Sequence, residues 1–79
     1  MKLPRDWSGI DLASRLTVLG YTTTRQSGSH IRLSTARNGQ HHVTVPARDP
    51  LKVGTLSAVL AEVAAHHRMT RDQLIQLLG

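Results

Sequence analysis

Arg25-Gln26-Ser27-Gly28-Ser29-His30-Ile31-Arg32 sets one histidine directly behind a glycine-containing turn and between arginines. Imidazole is the side chain whose ordinary titration range lies nearest neutrality, which makes it the usual proton carrier in catalysis. Guanidinium groups beside it suit a phosphate-bearing substrate, because their forked N–H donors match phosphate oxygens. RNA brings its own nucleophile, the 2′-hydroxyl. Metal-free cleavage then needs only a proton carrier and positive charge on the pentavalent phosphate. DNA lacks that internal nucleophile. On residue type alone, though, a histidine at a strand start is usually an exposed or hydrogen-bonded bystander.

Other chemistries fit the chain poorly. His41 and His42 are neighbours on an expected strand, so they project to opposite faces and cannot chelate one ion. His66 and His67 fall late in an expected helix, where cationic imidazole suits the dipole and His67 pads the core. There is no His-Glu-x-x-His motif and only five acidic residues, so no metal or other cofactor is expected. Without cysteine there is no disulfide framework, thiolate zinc site or thiol nucleophile. Ser27 and Ser29 lie near His30, but no local carboxylate would orient the imidazole as a triad requires. Gly20, Gly28 and Gly39 do not form a phosphate-cradling strand–loop–helix motif. Phe is absent, and Trp7 and Tyr21 read as core, which removes the stacking platforms used to read single-stranded bases.

The 79 residues make one small domain, 1–79, with room for two or three short layers and none for a large cofactor. The formal charge is +5 and the pI about 11.2, which favours a polyanionic partner. Arg25, Arg32, Arg37, Arg48 and Lys52 face Asp49 alone in the middle of the chain, whereas Arg68 and Arg71 balance Glu62 and Asp72 after it. The alternative is a solvated basic face that aids solubility. No apolar run approaches the roughly 20 residues that span a bilayer, and Met1-Lys2-Leu3-Pro4-Arg5-Asp6 has no signal-peptide core. A cytoplasmic location is the expectation.

The elements that must position these residues follow from local pattern. Ser8 caps a first helix with Asp11 at N3, and Trp7 with Leu12 has the spacing of a hydrophobic staple. Ile10, Ala13, Leu16 and Leu19 then recur at helical period, and Gly20 ends the helix. Residues 21–25 are β-prone, and Ser27-Gly28 breaks them. From Ser29 to Thr35, Ile31 and Leu33 alternate against His30, Arg32 and Ser34; from His41 to Val45, Val43 and Val45 alternate against His42 and Thr44. A two-residue Asn38-Gly39 loop would set Leu33 against Thr44. A three- or five-residue loop instead pairs Leu33 with Val43 and Arg32 with Thr44, so His30, Arg32 and His42 share a face. Pro46 ends the sheet, and residues 47–53 connect to a helix opened by Gly54 or Thr55. Leu56, Val59, Leu60, Val63 and His67 form that helix's inner stripe. Thr70-Arg71-Asp72-Gln73 is a capping box, and Leu74, Leu77 and Leu78 give a last helix its apolar face. The expected architecture is α+β: an α-β-β-β-α two-layer sandwich with a short extra C-terminal helix, in the order of double-stranded-RNA-binding domains.

Four segments in combination carry a resemblance. They are Leu19-Gly20-Tyr21, residues 25–32, Val43-Thr44-Val45-Pro46 and Leu51-Lys52-Val53-Gly54-Thr55-Leu56. Over residues 8–78 the chain resembles the HicA family of mRNA interferase toxins from bacterial toxin–antitoxin modules. The resemblance implies a fold like that of double-stranded-RNA-binding domains, endoribonuclease activity on mRNA and neutralisation by a HicB-like antitoxin; that the cleavage is metal-independent is the expectation from the residues above. The family's catalytic histidine falls on His30, with Gly28 and Ser29 shaping the turn that presents it. Arg25, Arg32 and Lys52 are assigned to RNA binding from charge and facing. Residues 1–7 extend ahead of the point where many members begin, and residues 61–68 lengthen the long helix. Two rival functions use the same surfaces: a noncatalytic module that binds double-stranded RNA, and an antitoxin-interacting subunit without activity.

Overall fold

The computed structural model describes residues 2–79; Met1, the first residue of the N-terminal extension, lies outside the described residues. Ser8 and Asp11 form the expected reciprocal capping box, with bonds of 3.0 and 3.1 Å, and start α1 (Gly9–Arg15). The carboxyl of Asp11 is held below its ordinary range, first by the backbone N–H of Ser8 and then by its hydroxyl. The helix tightens into a 3₁₀ turn over Leu16–Leu19 and stops at Gly20, whose φ of 83° is left-handed. Leu12, Ala13, Leu16 and Leu19 face the core, while Ile10 is 65% exposed. The expected stripe holds at Ala13, Leu16 and Leu19, but Leu12 takes the buried place expected for Ile10. Trp7 is buried, with the Arg15 guanidinium 4.3 Å from its ring centroid.

Three strands follow: β1 (Thr22–Ser27), β2 (His30–Thr35) and β3 (His41–Pro46). They form one antiparallel sheet in sequence order. β1 starts one residue later and runs two residues further than its local propensity suggests. Tyr21 is drawn out of the strand because its ring is fully buried and its hydroxyl bonded. Leu33 pairs with Val43 and Arg32 with Thr44, the register of the longer loop, and residues 36–40 make that connection. Asn38 and Gly39 both take positive φ within it.

Residues 47–52 lead into α2 (Val53–His66), which begins one residue ahead of the earliest expected start and has Lys52 at its N-cap. Leu56, Val59, Leu60 and Val63 line its inner face, joined by His67 at the C-cap. No glycine ends this helix. Arg68 takes the left-handed φ of 56° instead, and the Met69 N–H reaches the Ala64 carbonyl at 3.0 Å. Thr70 and Gln73 cap α3 (Arg71–Leu78) as expected. Leu74, Ile75 and Leu78 are its buried residues, and Leu77 is half exposed, so Ile75 takes the place expected for Leu77.

The layout is α+β, α-β-β-β-α with an extra C-terminal helix. α1 packs on β2 and β3, and α2 packs on β3 and α3. The core lies between these helices and the inner sides of β2 and β3, where Ile31, Leu33, Val43 and Val45 are buried. β1 is exposed along its length. A groove of about 290 Å³ opens between its inner residues Thr23 and Gln26 and the side of α1. Among the described residues no helix is long and apolar enough to cross a membrane.

Candidate nucleic-acid interface

Gly28 and Ser29 alone connect β1 to β2. Gly28 has φ of 57° and Ser29 does not have a positive φ, the glycine-first pattern of a type II′ hairpin turn. Such a turn matches the right-handed twist of the flanking strands and fixes their register. His30 is consequently the first residue of β2, opposite Ser27 on one side and Pro46 on the other. The Ala47 N–H donates to the Ser29 carbonyl at 2.6 Å, which ties the chain leaving β3 to the turn.

Residues directly opposite in an antiparallel pair share a face, and alternate residues along a strand do too. Arg25 pairs with Arg32, so His30, Arg32 and Arg25 lie together on the side of the sheet away from the helices. All three are exposed. A bulge between Thr23 and Arg25 makes this possible. Without it, Arg25 would fall on the inner side with Thr23; at the bulge the Thr24 hydroxyl donates to the Arg32 carbonyl at 3.3 Å. Lys52 is exposed but belongs to the helical layer, where it caps α2. Gly28 and Ser29 sit in the turn, where they act on His30 through the backbone.

The same face carries a pair that sequence reasoning did not single out. The Ser34 hydroxyl meets Nδ1 of His42, its directly opposed residue on β3. The facing of His42 follows from alternation, but its partner depends on the hairpin register.

The inner side of the β2–β3 hairpin holds a second constellation. The Tyr21 hydroxyl lies 2.7 Å from Nδ1 of His41 and 3.1 Å from Nε2 of His67. Asn38 Nδ2 lies 3.0 Å from Nδ1 of His67. With the Asn38 amide donating, the chain has one direction: Asn38 to His67, His67 to Tyr21, Tyr21 to His41. Each histidine in it must be neutral to accept at Nδ1. Burial, then the neighbouring His66, pushes His41 and His67 below the ordinary histidine range. Burial, with Glu62 nearby, pushes the Tyr21 phenol up to about 12. His66 holds the hairpin from outside, its Nε2 donating to the carbonyls of Arg37 at 3.1 Å and Gly39 at 2.9 Å. Its expected part as a helix-end charge is thus secondary to a loop-fastening one. Among the described residues no group of three histidine or acidic side chains is arranged to hold a metal.

The sequence matches the family model described as the HicA toxin of bacterial toxin–antitoxin systems over residues 9–65, from the start of α1 almost to the end of α2. That span includes the turn, His30 and the whole sheet. No curated protein and no solved structure matches the chain.

Proposed function

The chain belongs to the HicA toxin family, and from that premise we propose that it is an endoribonuclease that cleaves mRNA without a metal, with His30 as general acid. The observation that carries this reading is the pairing of Arg25 with Arg32 beside His30 on an exposed sheet face. The 2′-hydroxyl of the substrate attacks the adjacent phosphorus. The bond from phosphorus to the 5′-oxygen breaks, and His30 protonates that departing oxygen. Solvent takes the 2′-hydroxyl proton, and the products are a 2′,3′-cyclic phosphate and a 5′-hydroxyl end. Arg25 and Arg32 neutralise charge on the phosphate as it becomes pentavalent. Lys52 adds a phosphate contact from the helical layer, and Gly28 and Ser29 hold His30 at the rim of the sheet.

In-line attack requires a backbone free to rotate, which favours single-stranded RNA over a duplex. A toxin needs restraint, and a HicB-like antitoxin that covers the His30 face would supply it. Messenger RNA as the substrate makes the cytoplasm the working compartment. The test is incubation of a long single-stranded mRNA in EDTA with wild type and His30→Ala. Cleavage by wild type alone is expected. Intact RNA with folded wild type, but salt-sensitive binding, would favour the noncatalytic RNA-binding module. Failure to bind RNA, with tight antitoxin binding, would favour a pure interaction subunit.

A further inference from the structure

The open sheet face extends well past His30. Along β2 it continues through Arg32 to Ser34, and across β3 it presents Thr44 and His42. Four residue steps separate His30 from Ser34, about 13 Å of strand at roughly 3.3 Å per residue. Apart from Pro46 opposite His30, every side chain of β2 and β3 on this face is polar or cationic. No acidic residue occurs anywhere from Thr22 to Pro46. The surface therefore complements a polyanion over a length beyond one phosphate, and it is continuous with the His30 site.

At its far end the Ser34–His42 contact organises the imidazole. When the Ser34 hydroxyl donates to Nδ1, the ring's own proton sits on Nε2. When the ring is cationic, Nδ1 donates to Ser34 and Nε2 still carries a proton. In these two states the exposed His42 offers an N–H at Nε2, whereas a neutral ring donating from Nδ1 to Ser34 presents Nε2 as an acceptor. Second-row partners of this kind fix tautomer and ring orientation where an imidazole must present one chosen nitrogen.

We propose that His42, oriented by Ser34, is a second RNA-contacting residue that donates from Nε2 to a phosphate of single-stranded RNA beyond the scissile one. The proposal rests on the ribonuclease reading for the direction of the RNA path, and the track from His30 through Arg32 to His42 defines that path. Ser34 is a positioning residue in it and touches no RNA.

The experiment measures binding and cleavage separately, for wild type, His42→Ala, His42→Arg and Ser34→Ala. Binding is read as the anisotropy of a labelled single-stranded oligonucleotide whose 2′-O-methyl groups leave no nucleophile, and cleavage on both a long RNA and a dinucleoside monophosphate. His42→Ala should weaken oligonucleotide binding roughly threefold to tenfold, as loss of one exposed charge-assisted hydrogen bond implies. It should raise KM on long RNA without changing kcat. The dinucleoside monophosphate carries only the scissile phosphate, so its cleavage should not respond. His42→Arg should restore binding, and Ser34→Ala should give a smaller loss. Unchanged affinity in His42→Ala overturns the proposal. So does an equal loss on the dinucleoside monophosphate, which would mark a structural effect, or a loss of antitoxin affinity alone, which would mark a protein interface. If wild type binds RNA without cleaving it, the ribonuclease reading fails while the binding comparison still decides the role of His42.

Discussion

The imidazoles of His41 and His66 stack at 4.3 Å between centroids with 11° between their planes. One ring comes from the start of β3 and the other from the last residue of α2, so the stack joins the hairpin to the long helix. It also brings two titratable groups into contact. Adding a proton to either one raises the cost of adding a proton to the other.

Acid should loosen the fold through this cluster. His41 and His67 both sit below the histidine value of 6.5 in the folded protein. The unfolded chain therefore binds protons first as pH falls. The stability these groups contribute is present above about pH 6.5 and is lost as pH drops through their lower folded values. Melting temperature should fall from about pH 8 to about pH 5, and His66→Gln should flatten that slope because His66 depresses both neighbours. A wild-type melting temperature that is level across this range would refute the account.

Gly9 lies against the end of β3. A Cβ there would stand 1.9 Å from the Pro46 carbonyl oxygen, and the Gly9 N–H donates to the Arg48 carbonyl at 2.8 Å. Both neighbours are backbone, so nothing can swing aside. Gly9→Ala should destabilise by about 3 kcal/mol, at the upper end for overpacking. Denaturant unfolding measures it; a loss below about 0.5 kcal/mol would mean that α1 slides freely on the sheet.

Gly28 presents the opposite case. Its φ is positive, yet a Cβ would meet nothing within 4 Å. Gly28→Ala should cost about 1 kcal/mol from conformation alone, and Gly28→Asn less, because Asn enters the left-handed region more readily. Cleavage should fall in step with the turn's disorder, since His30 follows it by two residues. Equal stability of the Ala and Asn variants would show that the turn does not hold the left-handed form in solution.

Arg25 and Arg32 are like charges in direct cross-strand register. Such pairs destabilise a sheet by a few tenths of a kcal/mol to about 1 kcal/mol. Arg32→Gln should thus raise the melting temperature slightly while weakening RNA binding and lowering the salt slope by about 1. A variant that loses both stability and binding would show that Arg32 is there for packing.

His30 is exposed, so His30→Ala should leave the melting temperature within about 2 °C of wild type. On the ribonuclease reading its cleavage rate should fall at least about a hundredfold, the lower bound for losing a general acid. Comparable cleavage rates in the two proteins would remove His30 from the chemistry.

Much of this arrangement was legible from the chain because it depends on local rules. The capping boxes at Ser8 and Thr70 satisfy helix N–H groups within one turn, and their residues are three apart in sequence. Strand alternation settles which side Ile31, Leu33, Val43 and Val45 occupy, and burying them together selects the hairpin register. Boundaries were less legible. Tyr21 leaves β1 for partners 20 and 46 residues away, and the turn that closes α2 puts Arg68 in a left-handed conformation that its side chain does not advertise. Ile10 and Leu77 have helical spacing, but what lies across from them is solvent.

The sequence by itself determined the α-β-β-β-α order, the hairpin register and the placing of His30 beside Arg32 on the outer face. Each of these follows from periodicity, turn chemistry or the burial of apolar side chains at short range. Only the tertiary structure decided that Arg25 joins them, because a bulge moves it to that side of the sheet. It also decided that Ser34 holds His42, and that Tyr21, His41, His66 and His67 meet beneath the β2–β3 hairpin. The cluster around Tyr21 joins residues brought together when α2 packs against β3, whereas Ser34 and His42 meet across the β2–β3 pairing on the other side of the sheet; polar side chains carry no periodic signal that would reveal such bonds in advance.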